Sequence, residues 1–301
     1  MIRLASFALF AWASAGAGEW KCPCPESELA RHTAYHIADP LRIDGRLEEA
    51  AWQRAPRSPR FTDILTGGPV IHDTRAAVLW DVEYLFIAYR VEEPLVHAKC
   101  ITNNSPIHYD NDIEIFVAGR DTYYEFEINA FNTTYEELFL WTDAYKRGGF
   151  AQAPEFAHAN LQPFNGVDYT THPRGGRLGN FNWHFPGKRT AVFVDGTVND
   201  DTDRDRGRTV ELAFPWTGMD WLAKADARLL PPKEGDGWRM DVSRFNQYRE
   251  APPAKDAGGW FWSRHGVRDS HIPEWLPYIH FTTNVVSHAA GRTAGHPDFF
   301  N

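Results

Sequence analysis

Cysteine and methionine are scarce, three of each in 301 residues. Three cysteines do not make a disulfide framework for a domain of this size. Cys22-Pro-Cys24 lies in a proline-rich stretch far from Cys100, so one bridge to Cys100 and free thiols both stay open. No second ligand cluster stands at zinc spacing, which argues against a structural zinc site. Basic charge is also in deficit: 31 Lys and Arg face 40 Asp and Glu, a formal net charge of −9. A protein that tracks phosphates needs a basic footprint, so nucleic acid is not the expected partner. Helical periodicity is thin: Leu47–Arg54 and Trp216–Leu222 offer about two turns each. No Ser–His–Asp arrangement, phosphate-cradling glycine loop or His-x-x-x-His pair is identifiable.

What the chain has instead is aromatic residues, with 12 Trp, 11 Tyr and 20 Phe. Such side chains suit pleated surfaces and can stack on flat apolar ligands. Period-2 alternation dominates the middle of the chain. In Tyr84–Val91, the residues Leu85, Ile87, Tyr89 and Val91 share a face. In Asp112–Val117, Ile113, Ile115 and Val117 point one way while Asp112, Glu114 and Phe116 point the other. Tyr123–Asn129 alternates Tyr124, Phe126 and Ile128 with Glu125 and Glu127. Further strands are predicted at Thr74–Trp80, Thr190–Asp195, Arg208–Phe214 and Trp238–Phe245, separated by turn signals such as Asp195-Gly196 and Gly235-Asp-Gly237. Many short strands with few short helices define an all-β chain, an antiparallel β-sandwich or a barrel.

The N-terminus carries an address. Arg3 gives a positive start, Leu4–Trp12 an apolar run too short to span a bilayer, and Ala13–Gly18 a small-residue cleavage region. This reads as a signal peptide over 1–18 that directs the chain to secretion or the periplasm, with no membrane span elsewhere. Glu19-Trp20-Lys21 ahead of Cys22 lacks the small residues expected before a lipidated cysteine. Residues 19–34 form an N-terminal segment, 35–283 one sandwich domain and 284–301 a tail. The Pro- and Gly-rich stretches Gly148–Gly187, Leu230–Gly237 and Ala251–Gly259 read as long loops within that domain, since strand patterns lie on both sides of each.

A series of motifs then appears in order. Ile43-Asp-Gly-Arg-Leu-Glu-Glu-Ala-Ala-Trp52 opens the domain. It is followed by Leu79–Tyr89, Tyr109-Asp-Asn-Asp-Ile-Glu-Ile-Phe116, Tyr124-Glu-Phe-Glu-Ile-Asn129, Asp195–Asn199, Asp205–Trp216 and His271-Ile-Pro-Glu-Trp275. Over about 37–283 this series resembles the family 9 carbohydrate-binding modules and their stand-alone secreted relatives, with a large insertion around Ala144–Asn182. The resemblance implies a jelly-roll or immunoglobulin-like sandwich, a saccharide or polysaccharide ligand, a link to polysaccharide breakdown, and no catalysis. In sugar-binding members two aromatic rings clasp a pyranose while carboxylate, amide and Arg side chains bond its hydroxyls, a division that fits the amphipathic sugar. Carried over by position, Glu114 is retained. The ring positions fall at Tyr109 (or His108) and at His271, the Arg position at Glu127 and the amide near Asp241.

The alternation adds Asp112 to Glu114 on one face, with Glu125 and Glu127 beside them, and Arg244 and Arg268 as pairing cations. An ionic patch on a solvated face is the plain alternative to a ligand-lined cleft. Paired carboxylates also raise glycoside hydrolysis, which makes a hydrolase of this fold the first functional alternative. A haem-binding sandwich is the second, with Met219, Met240 or a histidine as axial ligand, although Met240 alternates with Val242 as core filler does. Asp201, Asp203 and Asp205 have the spacing of calcium-loop ligands. The glycine follows one residue late and Leu212 replaces the bidentate acid, so calcium stays open without an EF-hand. Arg204 and Arg206 favour a self-compensated loop there.

Overall fold

The computed structural model describes residues 26–167, 172–248 and 256–287. The signal-peptide reading over 1–18, Cys22, Cys24 and the tail beyond 287 lie outside them. Among the described residues the strands are β1 (Arg31–His36), β2 (Thr62–Asp63), β3 (Thr74–Trp80), β4 (Tyr84–Glu92), β5 (Asp112–Ala118), β6 (Thr122–Ile128) and β7 (Thr134–Trp141). They continue with β8 (Gln162–Phe164), β9 (Arg177–Asn180), β10 (Arg189–Asp195), β11 (Gly207–Pro215), β12 (Gly237–Phe245), β13 (Gly259–Phe261) and β14 (Tyr278–Val285). Three short helices accompany them: α1 (Ala50–Arg54), α2 (Thr142–Arg147) and α3 (Asp220–Ala223).

Hydrogen bonding runs in the order β10-β11-β4-β3-β1-β14-β12-β5-β6-β7-β9-β8. The ribbon folds back on itself as a sandwich. Phe214 of β11 meets Tyr124 and Phe126 of β6 with ring centroids 6.1 and 5.3 Å apart, although many strands separate them along the sheet. Tyr89 of β4 donates its hydroxyl to the Glu114 carbonyl of β5 at 2.7 Å across the same interior. The side chains between the layers are those the alternation selects: Ile87, Tyr89, Val210, Leu212, Ile113, Ile115, Val117, Phe126, Met240 and Val242 are all fully buried there. Met240 and Met219 are both core residues.

The pairing is antiparallel except at one seam. β1 runs parallel to β14 from Arg31 to Tyr35, and its last two residues also pair parallel with Leu79 and Trp80 of β3. β1 therefore closes the gap between the two layers, a placement that its own alternation does not encode. α1 starts at Ala50, later than the predicted Leu47, because Leu47 adopts a left-handed backbone with φ of 57°. The Trp216–Leu222 segment splits into a 3-10 turn and α3. The Gly148–Gly187 stretch carries three 3-10 turns together with β8 and β9, rather than loop alone.

The opening motif is tied to β11 by a buried carboxylate. Glu211 accepts hydrogen bonds from the Trp52 indole at 2.8 Å and from the backbone nitrogens of Asp44 and Gly45 at 3.0 and 3.1 Å. Gly45 has φ of +82°, and a Cβ there would stand 2.8 Å from the Phe193 nitrogen, so glycine is required by both conformation and space.

Candidate functional site

Strands β12, β5, β6 and β7 lie side by side, and alternation divides their residues between two faces. One face is the core described above. On the other, register places Ser243, Glu114, Glu127 and Tyr135 in one row, and Asp241, Phe116, Glu125 and Glu137 in the next. Asp112 follows at the start of β5. Six carboxylates thus share a face: Asp112, Glu114, Glu125, Glu127, Glu137 and Asp241, none more than 5% exposed.

This face is roofed. His265 Nε2 meets Asp241 Oδ2 at 3.0 Å, and its Nδ1 lies 3.0 Å from the Asp269 carbonyl. His271 lies 3.7 Å from Glu125 and 3.3 Å from the Tyr123 hydroxyl. Phe116, Ala118, Tyr123, Phe139 and Leu276 form a small apolar cluster, with Phe164 and Phe181 against it. The segment from His265 to Leu276 and the β8–β9 insertion therefore cover what alternation alone reads as a solvated face.

Burial dominates the electrostatics. It raises the Asp112, Glu114, Glu125 and Glu127 carboxyls well above the usual range. Neighbouring charges add to it, Asp112 acting on Glu114 and Glu127, and Glu137 acting on Glu125. Burial brings Glu137 to about 7 against hydrogen bonds from Tyr135 and Glu125. Asp241 is raised by burial, which the His265 hydrogen bond opposes, and His271 is lowered by burial and by Arg177. Low dielectric penalises the charged form of each acid, and clustered like charges compound the penalty. Such a band can accept hydrogen bonds, share protons or ligate a cation.

The structure brings together Asp112, Glu114 and Glu127, with Asp241 and His271 on the same face. Two expected partners lie elsewhere. Arg244 has the parity of Met240 and Val242 and pairs across β5 with Ile113, so it points into the sandwich and away from the carboxylates. There it donates to Thr74 Oγ1 at 3.1 Å, to the Glu92 carbonyl at 2.8 Å and to Asn246 at 3.0 Å. Burial lowers it to about 10. Arg268 is exposed on a loop. The expected pair of rings does not form a clasp either. Tyr109 is 68% exposed ahead of β5, whereas the His271 ring is enclosed by Phe116, Phe139 and Phe164 at 5.3, 5.1 and 4.6 Å.

The residues that sequence reasoning passed over on this face are Glu137, Tyr135, Ser243 and His265. The signal for two of them is present, since Tyr135 and Glu137 alternate with Leu138 and Leu140 as Glu125 and Glu127 do with Phe126 and Ile128.

The calcium-loop candidates are engaged separately. Asp205 accepts from the Val96 and Thr197 nitrogens at 2.8 and 2.7 Å, and Asp203 accepts from the Thr197 hydroxyl at 3.0 and 2.9 Å. Asp201 lies 2.5 Å from His97 Nε2. The Asp205 and Asp201 contacts staple the loop to the Pro94–Ala98 segment while Asp203 bonds within it, and the three carboxylates do not form a cluster.

The architecture is that of a β-sandwich with an elaborated, covered face. No family model matches the chain, and no curated protein matches it. Among solved structures, a candidate carbohydrate-binding protein from Bacteroides uniformis matches with a TM-score of 0.50 at 13% identity, covering 84% of this chain and 99% of that one. A family 9 carbohydrate-binding module from Caldicellulosiruptor kristjanssonii in complex with cellotriose matches with a TM-score of 0.45 at 11% identity, over 88% of this chain and 100% of that one. The family 9 module from that organism in complex with glucose matches at 0.44 and 10%, over 85% and 98%. At these identities the likeness is one of fold.

Proposed function

We propose that this chain is a secreted, non-catalytic carbohydrate-binding protein whose ligand is a saccharide. The observation that carries the reading is the acceptor-rich band on β12-β5-β6-β7, which reaches the surface at the half-exposed Tyr135, in register with Glu127 and beside Glu137. A pyranose offers hydroxyls to such acceptors and an apolar face to such a ring. The protein from Bacteroides uniformis, described as a candidate for carbohydrate binding, supports the reading by its shared fold. The absence of catalysis is supported by the electrostatics. Hydrolysis by two carboxylates pairs a raised acid with an ionised partner, and burial here raises these carboxyls without holding one of them low. The export signal over 1–18 supports secretion or the periplasm as the location, with polysaccharide breakdown as the setting.

The test is a glycan array followed by calorimetry on the retained saccharide. Tyr135→Ala is expected to weaken binding by about 1 kcal/mol, from the loss of one ring face. Glu114→Gln is expected to weaken it by about 0.5–1.5 kcal/mol, the range for a hydrogen bond to an uncharged group, since burial favours the neutral Glu114 carboxyl. An array on which wild-type protein retains no saccharide overturns the reading. Release of reducing ends from mixed polysaccharides, abolished by Glu114→Gln, makes the chain a hydrolase instead.

A further inference from the structure

Asp112, Glu114 and Glu127 each present an oxygen to a common point, the three lying within 4.8 Å of one another. Strands β5 and β6 fix this geometry: Glu114 and Glu127 are direct cross-strand partners, and Asp112 sits two residues before Glu114 on the same face. A second observation is independent of the clustering. Glu127 is 3% exposed and its Oε2 is buried with no hydrogen-bond partner among the described residues. Asp112 Oδ2 is in the same condition on a fully buried residue. Buried carboxylate oxygens are normally satisfied, and an orphaned pair points to a missing partner.

Among the described residues no cation hydrogen-bonds these two oxygens. Arg208, the cation that acts on Asp112, pairs with Glu93 at 3.4 Å and donates to the Asn111 carbonyl at 2.9 Å. Arg244 faces the core, His265 is engaged by Asp241, and His271 lies by Glu125. The donors are all carboxylate oxygens, the ligand type of hard cations and a poor one for soft metals. With metal–oxygen bonds of about 2.3–2.6 Å, ligands on opposite sides of a calcium ion stand about 5 Å apart, a span this set fits.

We propose that Asp112, Glu114 and Glu127 form a binding site for a hard divalent cation, calcium above all, on the covered face of the sandwich. The cation replaces the protons or counter-charges that three buried carboxylates otherwise require. It cross-links β5 to β6 within the acceptor band. The site stands whether or not a saccharide binds, and it is separate from the Asp201–Asp205 loop.

The experiment uses the full chain stripped with EDTA, without sugar. Calorimetric titration with calcium chloride is expected to show one equivalent bound, and a hundredfold excess over Kd raises the Tm by about 5 °C. Magnesium is expected to bind more weakly. Glu127→Gln and Asp112→Asn, near-isosteric at buried positions, are expected to weaken calcium at least tenfold, while Asp203→Asn leaves it unchanged. Wild-type protein that binds neither calcium nor magnesium up to millimolar concentration overturns the proposal, and this arm needs no variant to fold. Unchanged affinity in both band variants also overturns it, as does loss of binding in Asp203→Asn alone.

Discussion

Replacing Glu211 by alanine strikes the point where the opening motif is fastened to the sandwich. The carboxylate accepts from the Trp52 indole, the Gly45 nitrogen and the Asp44 nitrogen. The first two bonds are buried, whereas the Asp44 nitrogen is partly exposed and can turn to water. Two buried donors left unpaired cost about 1–3 kcal/mol each. Against this, the variant no longer buries a carboxylate whose acidity is already weakened because burial outweighs its three hydrogen bonds. The expected net loss is therefore about 2–4 kcal/mol in unfolding free energy, read from urea denaturation with an unchanged m value. Trp52→Phe removes one donor and leaves a carboxylate oxygen unpaired, for a loss of about 1–2 kcal/mol. The double variant should fall short of the sum by at least about 0.5 kcal/mol, since the residues touch. A loss below about 1 kcal/mol in Glu211→Ala, or strict additivity with Trp52→Phe, would refute the reasoning.

Two further perturbations follow from single residues. His32 is buried edge-on against Trp262 with ring centroids 4.9 Å apart, its Nε2 has no partner, and burial lowers its pKa to about 4. A lowered folded-state pKa means that stability is fully present above about 6.5 and is lost as pH falls through about 4, by about 3 kcal/mol. His32→Phe should remove that part of the acid sensitivity in a plot of Tm against pH, and an unchanged slope between pH 6.5 and 4 counts against it. Gly207 opens β11 with φ of +124°, and a Cβ there would meet the Val91 carbonyl oxygen at 1.9 Å. Gly207→Ala should lose about 3 kcal/mol or more in urea unfolding, and a loss under about 1 kcal/mol would mean that the β4–β11 edge yields easily.

The strands that carry the core were legible because their alternation is set by burial on one side. The predicted Thr74–Trp80 matches β3 residue for residue, and Arg208–Phe214 and Trp238–Phe245 lie within β11 and β12. Local pattern could not reveal β1, whose parallel pairing depends on where β3 and β14 end up in space. It misplaced Arg244 relative to the acids for a related reason. A charged residue at the parity of Met240 and Val242 looks wrong for a core face, and only the acceptors at the end of the sandwich make it tolerable. The resemblance puts His271 at a sugar-facing ring position because the chain does not announce that Phe164, from the insertion, will lie against it. Glu114 and Glu127 were found by position, while Glu137 and Tyr135 were passed over in a strand whose alternation was plain.

The covered face gives the band its meaning. In a sandwich with one solvated face, Glu114, Glu125 and Glu127 would be ordinary outward residues, and their mutual repulsion would be damped by water. Here His265, His271, Leu276, Phe164 and Phe181 close over that face, and six carboxylates are left almost without solvent. Two of them are accounted for by neighbours: Asp241 by His265, and Glu125 by its hydrogen bond with Glu137. Glu137 takes the Tyr135 hydroxyl. The remaining three converge, and two of them keep an orphaned oxygen. A fold indifferent to its ligands would have no reason to retain that arrangement, because replacing buried charges by apolar residues of similar volume is often stabilising. Proton, buried water, cation and saccharide hydroxyl are the species that satisfy carboxylate oxygens in such a place. The first two leave the protein without a binding role, and they predict that calcium neither raises the Tm nor gives a heat of titration.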